Sequence, residues 1–114
     1  MWNQPSDEKL SSIPGLYSTQ EIPLKDKVIH LHCFIGSTDF YIAEYDGEDL
    51  FWGFSILNGD MQNAEWGYIS FSELKAIKVE GWLEVDCDLY WKPRPAREVK
   101  LICEAQGRQE NESI

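Results

Sequence analysis

Basic residues are scarce in this chain of 114 residues. Ten Lys and Arg stand against twenty Asp and Glu, a formal net charge of −10. That balance excludes a large basic surface for a nucleic-acid backbone. Between Lys27 and Lys75 there is no Lys or Arg at all. No apolar run nears the roughly 18 residues of a membrane span. The first eight residues, Met1 to Glu8, lack the basic start and apolar stretch of a signal peptide, so a cytoplasmic protein is expected. Cysteine is sparse: Cys33, Cys87 and Cys103 are an odd number with no CxxC, which points away from a zinc ribbon and from a thioredoxin-like site. Cys33 and Cys87 lie in apolar strand patterns, where a free Cys acts as a small buried hydrophobe, so a reducing compartment without disulfides is expected. No GxSxG, P-loop, GxGxxG or HExxH occurs.

What is present is apolar and aromatic. Hydrophobic residues make up 43% of the chain, with five each of Trp, Tyr and Phe, too many for intrinsic disorder despite the charge. The pattern predicts one domain over 13–105, between a flexible start at 1–12 and a flexible tail at 106–114. Pro14 and Pro23 mark an extended lead-in. Apolar runs at 28–35, 40–45, 50–57 and 65–70 read as strands of an antiparallel meander. Asp46-Gly47 and Asn58-Gly59 are hairpin signals, because both turn positions favour positive φ. Ser70 and Glu73 fit a capping box opening a short helix that ends by Gly81, with Leu74 and Ile77 toward the sheet. Leu83 to Tyr90 alternates without error and reads as one half-buried strand; a last short helix is predicted over 96–105. The fold class is α+β: an antiparallel meander of about five strands with one or two short helices. One face is expected to be covered and the other partly exposed.

The charge is unevenly placed. Asp39, Glu44, Asp46, Glu48, Asp49, Asp60, Glu65 and Glu73 give residues 28–74 a net −8. On a continuous strand Glu84, Asp86 and Asp88 would stand in a row about 6.6–6.8 Å apart. Such a field keeps a small protein soluble, and it also suits docking on a basic partner. The expected partner-binding residues are Glu44, Asp46, Glu48, Asp49, Glu84, Asp86 and Asp88. Trp52, Trp66 and Trp91 join them, since Trp is enriched at interface hot spots. Trp82, Tyr68 and Tyr90 also fall in or beside strands, and most of the rings should be core.

Neither a cofactor nor a metal is expected. His30 and His32 are the only two histidines, and a zinc site would need carboxylates to complete it. Cys33 beside His32 faces the other way on a strand, which argues against a Cys–His dyad. The alternatives are a small enzyme using strand carboxylates or the His30/His32 pair, and a regulatory subunit for plasmid maintenance.

Four segments carry a resemblance: Ile13-Pro14-Gly15-Leu16-Tyr17, the run Phe40 to Gly47, Ala64-Glu65-Trp66-Gly67-Tyr68-Ile69-Ser70, and Asp88-Leu89-Tyr90-Trp91-Lys92-Pro93. Together they resemble a family of small uncharacterised bacterial proteins of plasmids, phages and integrative elements, a domain of unknown function, over residues 13–93. The resemblance implies a mobile-element accessory protein. By analogy it implies an anti-defence inhibitor, of anti-CRISPR or anti-restriction type, that docks on a basic nucleic-acid-binding host complex without binding nucleic acid or membrane itself, as a monomer or homodimer.

Overall fold

The computed structural model describes residues 3–79 and 83–107. Helix α1 spans Asp7–Ser11, an element the apolar pattern did not point to. The Ser6 side chain caps it by accepting from the Lys9 N–H. Strands β1 (Val28–Ile29), β2 (Leu31–Ile35), β3 (Thr38–Tyr45), β4 (Leu50–Ile56) and β5 (Glu65–Ser70) follow. Helix α2 spans Phe71–Ala76, and β6 (Lys78–Val79), β7 (Leu83–Glu84), β8 (Asp86–Cys87) and β9 (Arg94–Pro95) come next. A single 3₁₀ turn at Ala96–Glu98 leads into α3, Lys100–Ala105. The main sheet is antiparallel and five-stranded, in the order β5-β4-β3-β2-β8; β1 pairs with β9, and β6 with β7.

The predicted meander is therefore present, and its turns show why. Asn58 and Gly59 both have positive φ, 52° and 70°, and the Asp60 N–H donates to the Leu57 carbonyl across them. At Asp46-Gly47 only the glycine is left-handed (φ 88°), and the connection is four residues, not two. The Asp46 carboxylate organises it by accepting from the N–H groups of Glu48, Asp49 and Leu50. This is an Asx-type loop, in which a side chain replaces the backbone partner of a tight turn. At α2 the N-cap half of the expected capping box is present, with the Ser70 hydroxyl accepting from the Glu73 N–H. The helix stops at Ala76; Gly81 and Trp82, like the tail beyond 107, lie outside the described residues.

Three readings are corrected. Both faces of the sheet are covered. Leu31, Cys33, Phe40, Ile42, Phe51 and Ile69 pack under Ile13, Phe71, Leu74 and Val85. Tyr41, Ala43, Phe54 and Ile56 pack under Ile29, Ala96, Val99 and Ile102. The C-terminal segment thus closes the face expected to be open. Second, residues 83–90 are not one strand. Leu83–Glu84 pairs with β6, while Asp86–Cys87 crosses to β2, and the strand ends before the exposed Leu89. Alternation survives in burial, with Val85 and Cys87 inside, because each piece still presents one side to a core.

The third correction concerns cysteine. Cys33 and Cys87 are direct partners across β2 and β8, with Cα atoms 4.1 Å apart, and they form a disulfide. Cys103 is free and buried. The 54-residue separation hid the pair, since register between distant strands is not written in spacing. Thiol titration of the denatured, unreduced protein should find one thiol per chain, against three after reduction. Three thiols before reduction, in protein purified under air, would contradict the pairing.

Candidate functional site

The acidic residues converge at one end of the sheet. Tyr45 closes β3, and the carboxylates of Asp46, Asp49, Asp7 and Glu48 all act on its hydroxyl. Burial first, and then those four charges, raise its pKa. Asp46 and Asp49 have a second task. Asp49 accepts from the Ser70 hydroxyl, the Ser72 N–H and the Ser72 hydroxyl, tying the loop to the start of α2. Hydrogen bonds from Ser70 and Ser72 hold the Asp49 pKa low, and three backbone N–H groups do the same for Asp46. Both remain ionised into acid solution. Glu48 and Asp7 are exposed.

The other acidic candidates are placed differently. Glu44 is only 4% exposed and belongs to the interior, not to an acidic face. Glu84, Asp86 and Asp88 are half-buried and do not form a row, because their two strand pieces belong to different ladders. Lys78 stands opposite Glu84 in register. Asp86 accepts from the Asn3 backbone N–H at 2.7 Å and anchors the N-terminal segment. Asp88 accepts from the Tyr90 N–H.

The tryptophans flank the second core. Trp52 and Trp66 stack at 5.1 Å, and Trp66 meets Phe54 edge-on. The Trp91 indole N–H donates to the Ile29 carbonyl, and Arg94 lies 4.0 Å from its ring centre. The exposed rings are instead Tyr17, Tyr68 and Tyr90. His32 bonds Asp39 at 2.7 Å and stacks on Tyr41, whereas His30 sits half-buried near Lys9. Burial, and secondarily the Lys9 charge, lower the His30 pKa. Among the described residues no group of three or more His, Cys, Asp or Glu side chains is arranged to hold a metal ion.

A cleft of about 290 Å³ opens beside β4 and β5, lined by Tyr17, Gln20, Leu24, Lys27, Glu44, Trp52 and Tyr68. Glu44 reaches it through an irregularity in β3. The register with β4 slips between Ile42 and Glu44, so Ala43 and Glu44 both turn toward the second core and Tyr45 returns to the first. A β-bulge re-aims a side chain in this way. Glu44 Oε1 accepts from the Tyr17 N–H at 2.9 Å; Oε2 accepts from the Thr19 N–H and the Thr19 hydroxyl. Lys27, 5% exposed, donates to the Thr19 carbonyl and hydroxyl, lies 3.9 Å from Glu44 and sits over the Trp52 ring. Tyr17 holds a left-handed conformation (φ 67°), rare for an aromatic residue, and its hydroxyl bonds that of Tyr68 at 2.6 Å. Glu44, expected among the partner-binding acidic residues, is instead an interior carboxylate of the cleft. Lys27 stands beside Lys25 and Asp26, so its sequence neighbours do not mark it as a buried residue.

Sheet, acidic hairpin end and cleft define a small α+β domain built on a two-sided antiparallel sheet. Residues 17–107 match the family described as protein of unknown function, DUF2958. The chain belongs to that family, and the matched span contains every residue of the cleft. No curated protein and no solved structure matches the chain. Among the described residues no helix is long and apolar enough to cross a membrane.

Proposed function

We propose that this chain is a non-enzymatic binding protein whose acidic hairpin end docks on a basic protein surface. The observation that carries the reading is that Asp7 and Asp46 line one concavity with Tyr45, beside the loop in which Asp46 fixes the positions of Glu48 and Asp49. It lies in a chain that has no Lys or Arg from residue 28 to 74. Two of these carboxylates are fixed by the loop they organise, so their charge is presented in a set place. Like charges held this close repel one another and lower stability, a cost that a cationic partner offsets. The partner class that suits the field is a basic, nucleic-acid-binding protein. With the resemblance to mobile-element proteins, this favours an anti-defence inhibitor of a host nuclease complex.

The test uses Asp7→Lys/Glu48→Lys, two exposed positions whose side chains cap nothing. A partner captured from bacterial lysate by the tagged wild-type chain should associate with the double variant at least tenfold more slowly at 0.1 M salt. The difference should close toward 1 M, where the screening length falls from about 10 Å to about 3 Å. Equal, salt-independent rates with a normally folded variant would remove the hairpin end as the docking surface.

A further inference from the structure

We propose that the cleft floored by Lys27 and Glu44 binds an uncharged planar ring with a hydrogen-bond donor beside an acceptor on one edge, the chemistry of a pyrimidine base or its nucleoside. This inference stands apart from the docking surface and does not depend on it.

The floor carries the recognition. Lys27 and Glu44 line the cleft although each is at least nine-tenths buried. An ammonium has three protons, and Lys27 gives two of them to Thr19. A carboxylate has about four lone-pair sites, and the donors from Tyr17 and Thr19 take three. One ammonium proton of Lys27 and one lone pair of Glu44, the latter on Oε1, thus remain at the cleft floor, where the ammonium lies 3.9 Å from Oε2. A ligand edge that offers an acceptor to Lys27 and a donor to Glu44 satisfies both at once. The amide-like edge of a pyrimidine base has that pattern.

The walls suit a flat ring. Tyr68 and Tyr17 supply aromatic surface and Leu24 an aliphatic one, while Trp52, stacked on Trp66 and beneath the Lys27 ammonium, closes the inner wall. The volume, about 290 Å³, lies at the small end of ligand pockets and accommodates a single ring better than a fused polycycle. The hydroxyl bond between Tyr17 and Tyr68 joins two exposed rings of the lining.

The backbone is distorted where this floor is made. Positive φ at Tyr17 points its N–H at Glu44, and the bulge in β3 points Glu44 at the cleft. Both features cost conformational free energy and are typical of places where a side chain or N–H must be aimed. The net charge of −10 opposes a phosphate, which favours a base or nucleoside over a nucleotide.

The experiment is an amide-resolved NMR titration of the full chain with uracil, cytosine, uridine, uridine monophosphate and toluene. Lys27 and Glu44 stay intact, because altering them threatens the fold; Tyr68→Ala is the test variant, at an exposed position. Saturable shifts are expected at the Tyr17 and Thr19 amides and the Trp52 indole N–H with uracil, cytosine and uridine. Tyr68→Ala should weaken uridine at least fivefold. The monophosphate should bind more weakly than uridine at low salt, with the gap closing as salt rises. No saturable shift up to about 10 mM, ten times a millimolar Kd, would overturn the proposal. So would shifts centred elsewhere, or toluene binding as well as uridine.

Discussion

Lys27→Met should lower folding stability by about 3–5 kcal/mol, the range for removing one partner of a buried ion pair. The reason lies in what is left behind. Glu44 would keep its donors from Tyr17 and Thr19 but lose its counter-charge at a position only 4% exposed. The Thr19 carbonyl and hydroxyl would lose the ammonium proton each accepts. Adding Glu44→Gln to Lys27→Met should recover much of the loss, since a neutral amide has no charge to desolvate and can still accept from the Tyr17 N–H. Urea melts of the single and double variants read the effect directly. A single variant that costs less than about 1 kcal/mol would mean the pair behaves like an exposed salt bridge.

Among the described glycines, Gly53→Ala should be the most damaging change to alanine. A Cβ at Gly53 would fall 2.0 Å from the Tyr41 carbonyl oxygen, 2.9 Å from the Tyr41 carbonyl carbon and 3.0 Å from Ile42 Cα. All three are backbone atoms of β3, so the strands themselves would have to part. Gly53 pairs with Ile42 where the register slips, and the close approach there is what the bulge needs. The loss should exceed about 4 kcal/mol, a large part of the 5–15 kcal/mol that holds a typical domain. Its neighbour in register is the control. Gly67 lies opposite Gly53 on β5, and a Cβ there meets nothing within 4 Å. Gly67→Ala should change stability by no more than about 0.5 kcal/mol. Similar melts for the two variants would show that β3 and β4 are less tightly held than their register implies.

Both predictions turn on the bulge, and the bulge marks the limit of what could be read from residue patterns. The runs 40–45, 50–57 and 65–70 were legible because alternation and β-branched or aromatic content reported a pleated, packed surface; of 28–35 only 31–35 joins the main sheet, since Val28–Ile29 pairs with β9 instead. Ser70 with Glu73, and Asn58 with Gly59, were legible because capping and left-handed turns are local chemistry. Glu44 was not, because one extra residue in a strand reverses the face of everything after it. The Cys33–Cys87 pair and the split of 83–90 between two ladders depend on which distant strand lies alongside, and so on the assembled sheet. The cleft joins residue 17 to residue 68 through such pairings; its parts could be seen singly, but their meeting could not.

The covering of the second sheet face has a consequence in time. Tyr41, Phe54 and Ile56 sit on strands finished by residue 70, yet Ala96, Val99 and Ile102 close over them. A chain made from its N-terminus at about 5–20 residues per second needs roughly one to five seconds to extend from Ser70 to Ala96. For that interval the nascent sheet has only Ile29 over this apolar face and lacks the cover of Ala96, Val99 and Ile102. Productive folding of this domain therefore depends on the segment from Ala96 to Ile102 arriving before that face is captured by a chaperone or by another unfinished chain.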